Sequence, residues 1–144
     1  MNLKAPEYVQ GHGLIKGKSV LITAAAGAGI GFSAATRAAE EGARAIVLSD
    51  IHVGRLEAAV AKLREETGLQ QVYAKVGNVA VEEDVQALVD FAEAETDGVD
   101  ILINNASAIS LTPTEQTEAK RYDLMHGINV RGTFFVSKAC IPYL

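Results

Sequence analysis

The chain has 144 residues, 49% of them hydrophobic and 22% charged, which fits one globular domain with enough chain to bury a core. A formal net charge of −5, from 18 acidic against 13 basic residues, repels phosphate backbones and argues against nucleic acid as a partner. The single cysteine, Cys140, excludes an internal disulfide. Residues 1–12 carry no apolar signal region, and no apolar run reaches the roughly 20 residues of a membrane span. The expectation is a cytoplasmic protein without membrane attachment.

Residues 1–16 are polar and aperiodic, with Pro6, Gly11 and Gly13. They read as an N-terminal arm ordered only where it docks on a neighbour, ahead of a domain over 17–144. From Lys18 onward short apolar runs alternate with helical periodicity. Ser19 to Thr23 is a continuous apolar run ended by small residues, as expected of a strand buried on both faces. Ile30 to Glu41 reads as a helix closed by Gly42, with Ala34, Ala35, Ala38 and Ala39 allowing close approach to a sheet. Ala45 to Ser49 is a second buried strand. Val53, Leu56, Val60 and Leu63 then form one stripe of a helix.

Val72 to Val76 reads as a third strand. Glu82, Glu83 and Asp84 crowd the start of the following helix, where the helix dipole favours negative charge, and Val85, Leu88, Val89 and Ala92 form its core stripe. Val99 to Ile103 is a fourth strand after a Thr96-Asp97-Gly98 turn. Ala119 to Leu144 reads as one long helix, interrupted or kinked near Gly127, Gly132 and Pro142. Strand and helix alternating four times predict an α/β fold: a parallel, doubly wound sheet in the order 3-2-1-4.

Chemistry concentrates between the first strand and its helix, in Thr23-Ala24-Ala25-Ala26-Gly27-Ala28-Gly29-Ile30-Gly31. A pyrophosphate seated on free backbone amides at a helix N-terminus needs a turn without obstructing side chains. Gly27, Gly29 and Gly31 supply one, and glycine also supplies the positive φ of a tight turn. Asp50 ends the second strand 19 residues after Gly31. A carboxylate there accepts the hydroxyls of an adenosine ribose and repels a 2′-phosphate, so the expected cofactor is NAD rather than NADP.

Three segments in order resemble the short-chain dehydrogenase/reductase family: the Thr23–Gly31 turn, Asn104-Asn105-Ala106-Ser107 after the fourth strand, and Ile128-Asn129-Val130-Arg131-Gly132. The resemblance spans residues 18 to 144 and implies a Rossmann fold. It implies that Gly27, Ala28, Gly29, Ile30 and Gly31 wrap the pyrophosphate, with Thr23 bracing the turn. Asp50 and Ile51 would flank the adenosine, and Asn78 and Val79 the adenine ring. Asn105 and Ala106 would pass beneath the cofactor ribose, with the Ser107 side chain near the cofactor, while Asn104 ties strands together. Asn129 matches the asparagine whose helix kink exposes a carbonyl to a proton-relay water; the bland reading of that residue is a helix-interior amide bonded to its own backbone.

Departures from the family pattern are Ala24 where a glycine is usual, a turn one residue longer, Asn78 for Asp and Ser107 for Gly. The family's catalytic serine and Tyr-x-x-x-Lys follow the Asn129 segment. None of Tyr8, Tyr73, Tyr122 and Tyr143 is followed by lysine four residues on, Lys138 reads as a solvated position, and the chain is expected to stop before the fifth strand. The scattered histidines 12, 52 and 126 do not suggest a metal. The expected activity of the parent enzyme is hydride transfer between nicotinamide and an alcohol or ketone, with the 144 residues themselves inactive. Asn104 to Ser110 and the Cys140–Leu144 end are similar to hydroxysteroid-dehydrogenase-like members, which implies an apolar substrate. The alternative is a non-catalytic dinucleotide-binding or interaction protein. Homo-oligomerisation through helix 119–144 is expected in either case.

Overall fold

In a computed structural model, residues 6–144 are described. The elements run β1 (Ser19–Thr23), α1 (Ile30–Glu40), β2 (Ala45–Asp50), α2 (Val53–Thr67), β3 (Val72–Val76), α3 (Glu82–Thr96) and β4 (Ile101–Ile103). They are followed by α4 (Ala119–His126), a π-helical turn (Gly127–Gly132) and α5 (Thr133–Cys140). The four strands form one parallel sheet in the order β3-β2-β1-β4, as the strand–helix alternation predicts.

Alternation along the strands decides which helices cover which face. Val20, Ile22, Ile46 and Leu48 point to one side and pack with Phe32 and Ala35 of α1 and with Leu56 and Leu63 of α2. Leu21 and Val47 point to the other side and pack with Val85, Leu88 and Val89 of α3 and Val136 and Cys140 of α5. Two crossovers on one face and one on the other place β1 between β2 and β4, so the connections leave its C-terminal end in opposite directions. That divergence opens a cleft, as it does generally in doubly wound sheets.

The expected elements appear with shifted ends. Strand four is three residues, Ile101–Ile103, and Asp100 just before it fastens the start of β1: its carboxylate accepts the Ser19 backbone N–H at 2.8 Å and the Lys18 ammonium at 2.9 Å, and its own N–H donates to the Ser19 carbonyl at 3.2 Å. The rod from 119 to 140 is continuous, and its irregular centre is a π-helical turn bounded by Gly127 and Gly132. The loop after β3 packs closely against the end of this turn: a β-carbon on Gly132 would lie 2.8 Å from Val79 Cγ2. No helix among the described residues is long and apolar enough to cross a membrane.

The arm docks within its own domain, on the end of α1. Glu41, 3% exposed, accepts the backbone N–H groups of His12 at 2.9 Å and Leu14 at 3.0 Å and pairs with Arg37. Tyr8 donates its hydroxyl to Glu40, and a β-carbon on Gly11 would overlap the Glu40 carbonyl at 2.1 Å.

Two carboxyls are therefore held far below their ordinary range. The Leu14 and His12 amides lower Glu41 to about 2, and the Ser19 amide together with Lys18 lowers Asp100 to about 2. A carboxyl whose folded pKa is depressed adds stability above its unfolded value and loses it on protonation. Stability is thus expected to fall as pH drops from about 4.5 toward 2. Asp100→Asn is expected to melt below the wild type at neutral pH, with the two curves converging near pH 2. Parallel melting profiles across that range would show that the clamp contributes nothing.

Candidate functional site

The cleft at the C-terminal end of the sheet has a volume of about 260 Å³ and is walled by four chain segments. The end of β2 supplies Ser49, Asp50, Ile51 and His52; the loop after β3 supplies Gly77, Asn78 and Val79. Ala106 and Ser107 come from the segment after β4, and Leu124 and Ile128 from the α4 rod. Ala24 opens the turn that borders it.

That turn is held from below by a compact knot. The Thr23 hydroxyl oxygen accepts the backbone N–H groups of Asn105 and Ala106, each at 3.0 Å. The Asn105 side-chain amide donates to the carbonyls of Thr23 and Ala24, both at 3.0 Å. Gly31 lies directly against this amide: a β-carbon there would sit 2.6 Å from Asn105 Nδ2 and 2.9 Å from the Ala24 carbonyl. So Gly31 serves close packing of helix on sheet. Gly27, with φ +155° and nothing within 4 Å of a built β-carbon, serves the bend itself.

Asn105 is therefore the residue that ties β1 to β4, where the resemblance gives that task to Asn104. Asn104 donates instead to Ser137 Oγ on α5 at 3.0 Å, because successive residues leave the strand on opposite faces. Ala24 adopts φ +51°, the left-handed conformation that glycine takes without cost and that other residues take at about 1–2 kcal/mol.

Above the knot Gly27, Ala28, Gly29 and Ile30 are exposed. The helix cap, Gly29, offers no side-chain hydrogen bond to the first turn of α1, and that turn carries no acidic residue. Its backbone N–H groups and the positive end of the helix dipole face outward, an arrangement suited to an anion. Asp50 faces the same turn. Its Oδ2 accepts the Ala26 N–H at 3.1 Å and its Oδ1 the His52 N–H at 3.1 Å. Each oxygen retains a further lone pair for a ligand hydroxyl.

Asn78 makes a local turn, its Oδ1 accepting the Ala80 N–H at 3.0 Å while its own N–H donates to Asp84 at 2.9 Å. The donor half of that amide, Nδ2, is left at the cleft wall. A dinucleotide fits this donor set: exposed amides for the phosphates, a carboxylate for the sugar, and apolar walls of Val79, Ala106, Leu124 and Ile128 for a flat base.

Asp50, Ile51, Asn78, Val79, Ala106 and Ser107 thus meet in one cleft, which reaches the turn after β1 at Ala24; Gly27 to Gly31 are not among its lining residues. Asn129 stands apart. Its Oδ1 accepts the Ala108 N–H and its Nδ2 donates to the Ala108 carbonyl, both at 2.8 Å. The amide clasps the loop after β4 rather than its own helix, and the Asn129 carbonyl accepts the Thr133 hydroxyl at 2.9 Å. Sequence reasoning missed Ser49, His52, Gly77, Leu124 and Ile128. Ser49 did carry a signal, a lone polar residue ending the run Ala45–Leu48, and Ile128 stands beside Asn129 in the third family-like segment; Leu124 carried none.

The family model described as short chain dehydrogenase matches residues 18–144. The chain belongs to the short-chain dehydrogenase family. It is 39% identical over 138 residues to human hydroxysteroid dehydrogenase-like protein 2, a match covering 92% of this chain and 32% of that protein. It is 38% identical to a (5R,7aS)-5-hydroxy-7a-methyl-1-oxo-2,3,5,6,7,7a-hexahydro-1H-indene-carboxyl-CoA reductase of Mycobacterium tuberculosis, with 99% of this chain and 54% of that protein covered. The chain therefore spans between about a third and a half of the length of these relatives.

Among solved structures, a short chain dehydrogenase from Mycobacterium smegmatis superposes with a TM-score of 0.92 at 37% identity, over 97% of this chain and 57% of the other. NAD⁺-bound xylitol dehydrogenase gives 0.83 at 35% identity, over 90% and 49%. L-sorbose reductase from Gluconobacter frateurii, complexed with NADPH and L-sorbose, gives 0.81 at 31% identity, over 89% and 48%. Relatives in this family thus bind NAD or NADPH.

Gly31→Ala is the sharpest test of the knot. The added methyl must displace Asn105 or the Ala24 carbonyl, and the expected loss is about 1–3 kcal/mol of stability in chemical denaturation. An unchanged denaturation midpoint would mean that the helix does not seat against Asn105.

Proposed function

We propose that this chain is the dinucleotide-binding portion of an NAD-dependent short-chain dehydrogenase acting on an alcohol/ketone pair. The observation that carries the reading is a cleft reaching Ala24, where the turn with the exposed amides of a helix N-terminus begins, with Asp50 in its wall and bonded to that same turn. When bound, the nicotinamide cofactor supplies or accepts the hydride. The chain's own residues do the holding. The amides of Gly27 to Gly31 receive the phosphates, Thr23 and Asn105 fix that turn, and Asp50 with Ile51 takes the adenosine sugar. Asn78 and Val79 border the base, and Ala106 with Ser107 lies beneath the second ribose. Asn129, through its clasp on Ala108, fixes the loop that leads away from that ribose.

Preference for NAD rests on Asp50. Its charge repels a 2′-phosphate, while both of its oxygens can still accept ribose hydroxyls. Titration calorimetry on the purified chain is expected to show NAD binding at least about tenfold tighter than NADP, with Asp50→Ala narrowing that gap. Failure of the wild type to bind either dinucleotide would overturn the reading. Tighter binding of NADP with Asp50 intact would overturn the NAD preference.

Tyr8, Tyr73 and Tyr122 are followed four positions on by His12, Gly77 and His126 rather than lysine, so these tyrosines are not read as members of a proton-transfer pair, and the cleft residues serve to orient the cofactor. The purified chain is accordingly expected to reduce no NAD in the presence of alcohols. The names of two relatives, a hydroxysteroid dehydrogenase-like protein and a reductase of a fused-ring carboxyl-CoA, support an apolar ring or acyl substrate.

Association through the rod at 119–144 belongs to the same proposal. Val136 and Cys140 are buried in the core, but Tyr122, Val130, Phe134, Ile141 and Leu144 remain exposed, and a surface of that kind favours self-association. β4, at the edge of the sheet and only half buried, adds unpaired backbone groups. Light scattering is expected to report a dimer or larger species, shifted toward monomer by Phe134→Glu; a monodisperse monomer of the wild type would count against the interface.

A further inference from the structure

Ser49 lies at the floor of the cleft, one residue before Asp50, and is 0% exposed. Its hydroxyl is the only fully buried side-chain polar atom among the described residues without a hydrogen-bond partner. A buried hydroxyl left in that state costs stability, which is why such groups are rare unless something else supplies the partner. Other buried polar side chains are satisfied: Thr23, paired with Ser49 across the sheet, accepts two amides, and Thr96, at the far end of the sheet, donates to the Ala92 carbonyl at 2.7 Å.

We infer that Ser49 is a further ligand-contacting residue, whose hydroxyl donates to a ring nitrogen of the bound adenine. The inference rests on the dinucleotide reading above and names a contact within it. Consecutive residues of a strand project to opposite faces. Asp50 reaches the Ala26 amide on the side of the glycine turn, so Ser49 projects to the other side, toward Gly77 and the start of α3. A β-carbon on Gly77 would lie 3.9 Å from Ser49 Oγ and 3.5 Å from the Asp84 carbonyl. The sugar is thereby assigned to the Asp50 side and the base to the Ser49 side.

Ser49 does not act alone on that side. The Oδ1 of Asn78 is committed to the Ala80 amide, which leaves Nδ2 as its cleft-facing group. A hydroxyl and an amide donor, flanked by the apolar Val79, Ala106 and Ile128, match the in-plane acceptor nitrogens of a purine stacked between apolar walls. Solvent does not reach the hydroxyl. A base that meets it must press the wall slightly aside, and the missing side chain at Gly77 leaves room for that.

Ser49→Ala separates a ligand contact from a structural role, because the two move thermal stability in opposite directions. Removing an unpaired buried hydroxyl is expected to leave the ligand-free melting temperature unchanged or higher. The dissociation constants of both NAD and AMP are expected to rise about five- to tenfold, equally for the two because the contact lies in the adenosine half. Calorimetry with NAD and AMP, beside ligand-free melting, reads both quantities. If the wild type binds neither nucleotide, the dinucleotide reading falls and this contact with it. If the wild type binds both and Ser49→Ala binds them as tightly, or melts lower without ligand, the Ser49 assignment alone is overturned.

Discussion

Everything at the functional end of this molecule depends on how closely α1 is allowed to approach the sheet. The Asn105 amide bridges the carbonyls of Thr23 and Ala24, and Gly31 presses against it with no room for a single methyl group. This contact sets the depth at which the first turn of α1 starts, and therefore where its unpaired amides point. It also joins β1 to β4 beyond the end of the three-residue ladder between them. One small cluster thus closes the sheet and orients the turn.

From that cluster the cleft follows by topology. The helices over one face descend from β1 and β2, and those over the other from β3 and β4. The connections therefore part at the C-terminal end of β1 and leave a gap between them. What lines the gap is chosen by packing on each side. Asp50 is drawn toward the turn by the Ala26 amide, while Val79 is held in the wall by Gly132 of the π-helical turn. The irregular stretch of the rod thus sits where helix meets loop, and it brings Ile128 to the cleft beside Leu124 of α4.

Stability is anchored away from the cleft. Glu41 fixes the arm to α1 and Asp100 fixes the start of β1 to β4, each through a carboxylate accepting backbone amides. Such bonds to a charged acceptor are stronger than neutral ones and fix backbone position as well as charge. The cleft residues, by contrast, include an exposed turn, a strained alanine at position 24 and an unpaired hydroxyl at Ser49. Fold and site therefore draw on different sets of residues.

Read alone, the sequence determined the sheet order, the two-sided burial of β1 and β2, the position of the glycine turn and the presence of Asp50 at a strand end. These are properties of short-range patterning: apolar runs, helical stripes, and glycines between them. Only the tertiary structure decided that Asn105 rather than Asn104 makes the tie, that the arm docks on its own α1, and that Asn129 grips Ala108. It alone revealed the five missed wall residues and the unpaired Ser49 hydroxyl. Each of these depends on which face a side chain leaves and on what arrives from a segment distant in the chain, and local periodicity carries no record of a partner dozens of residues away.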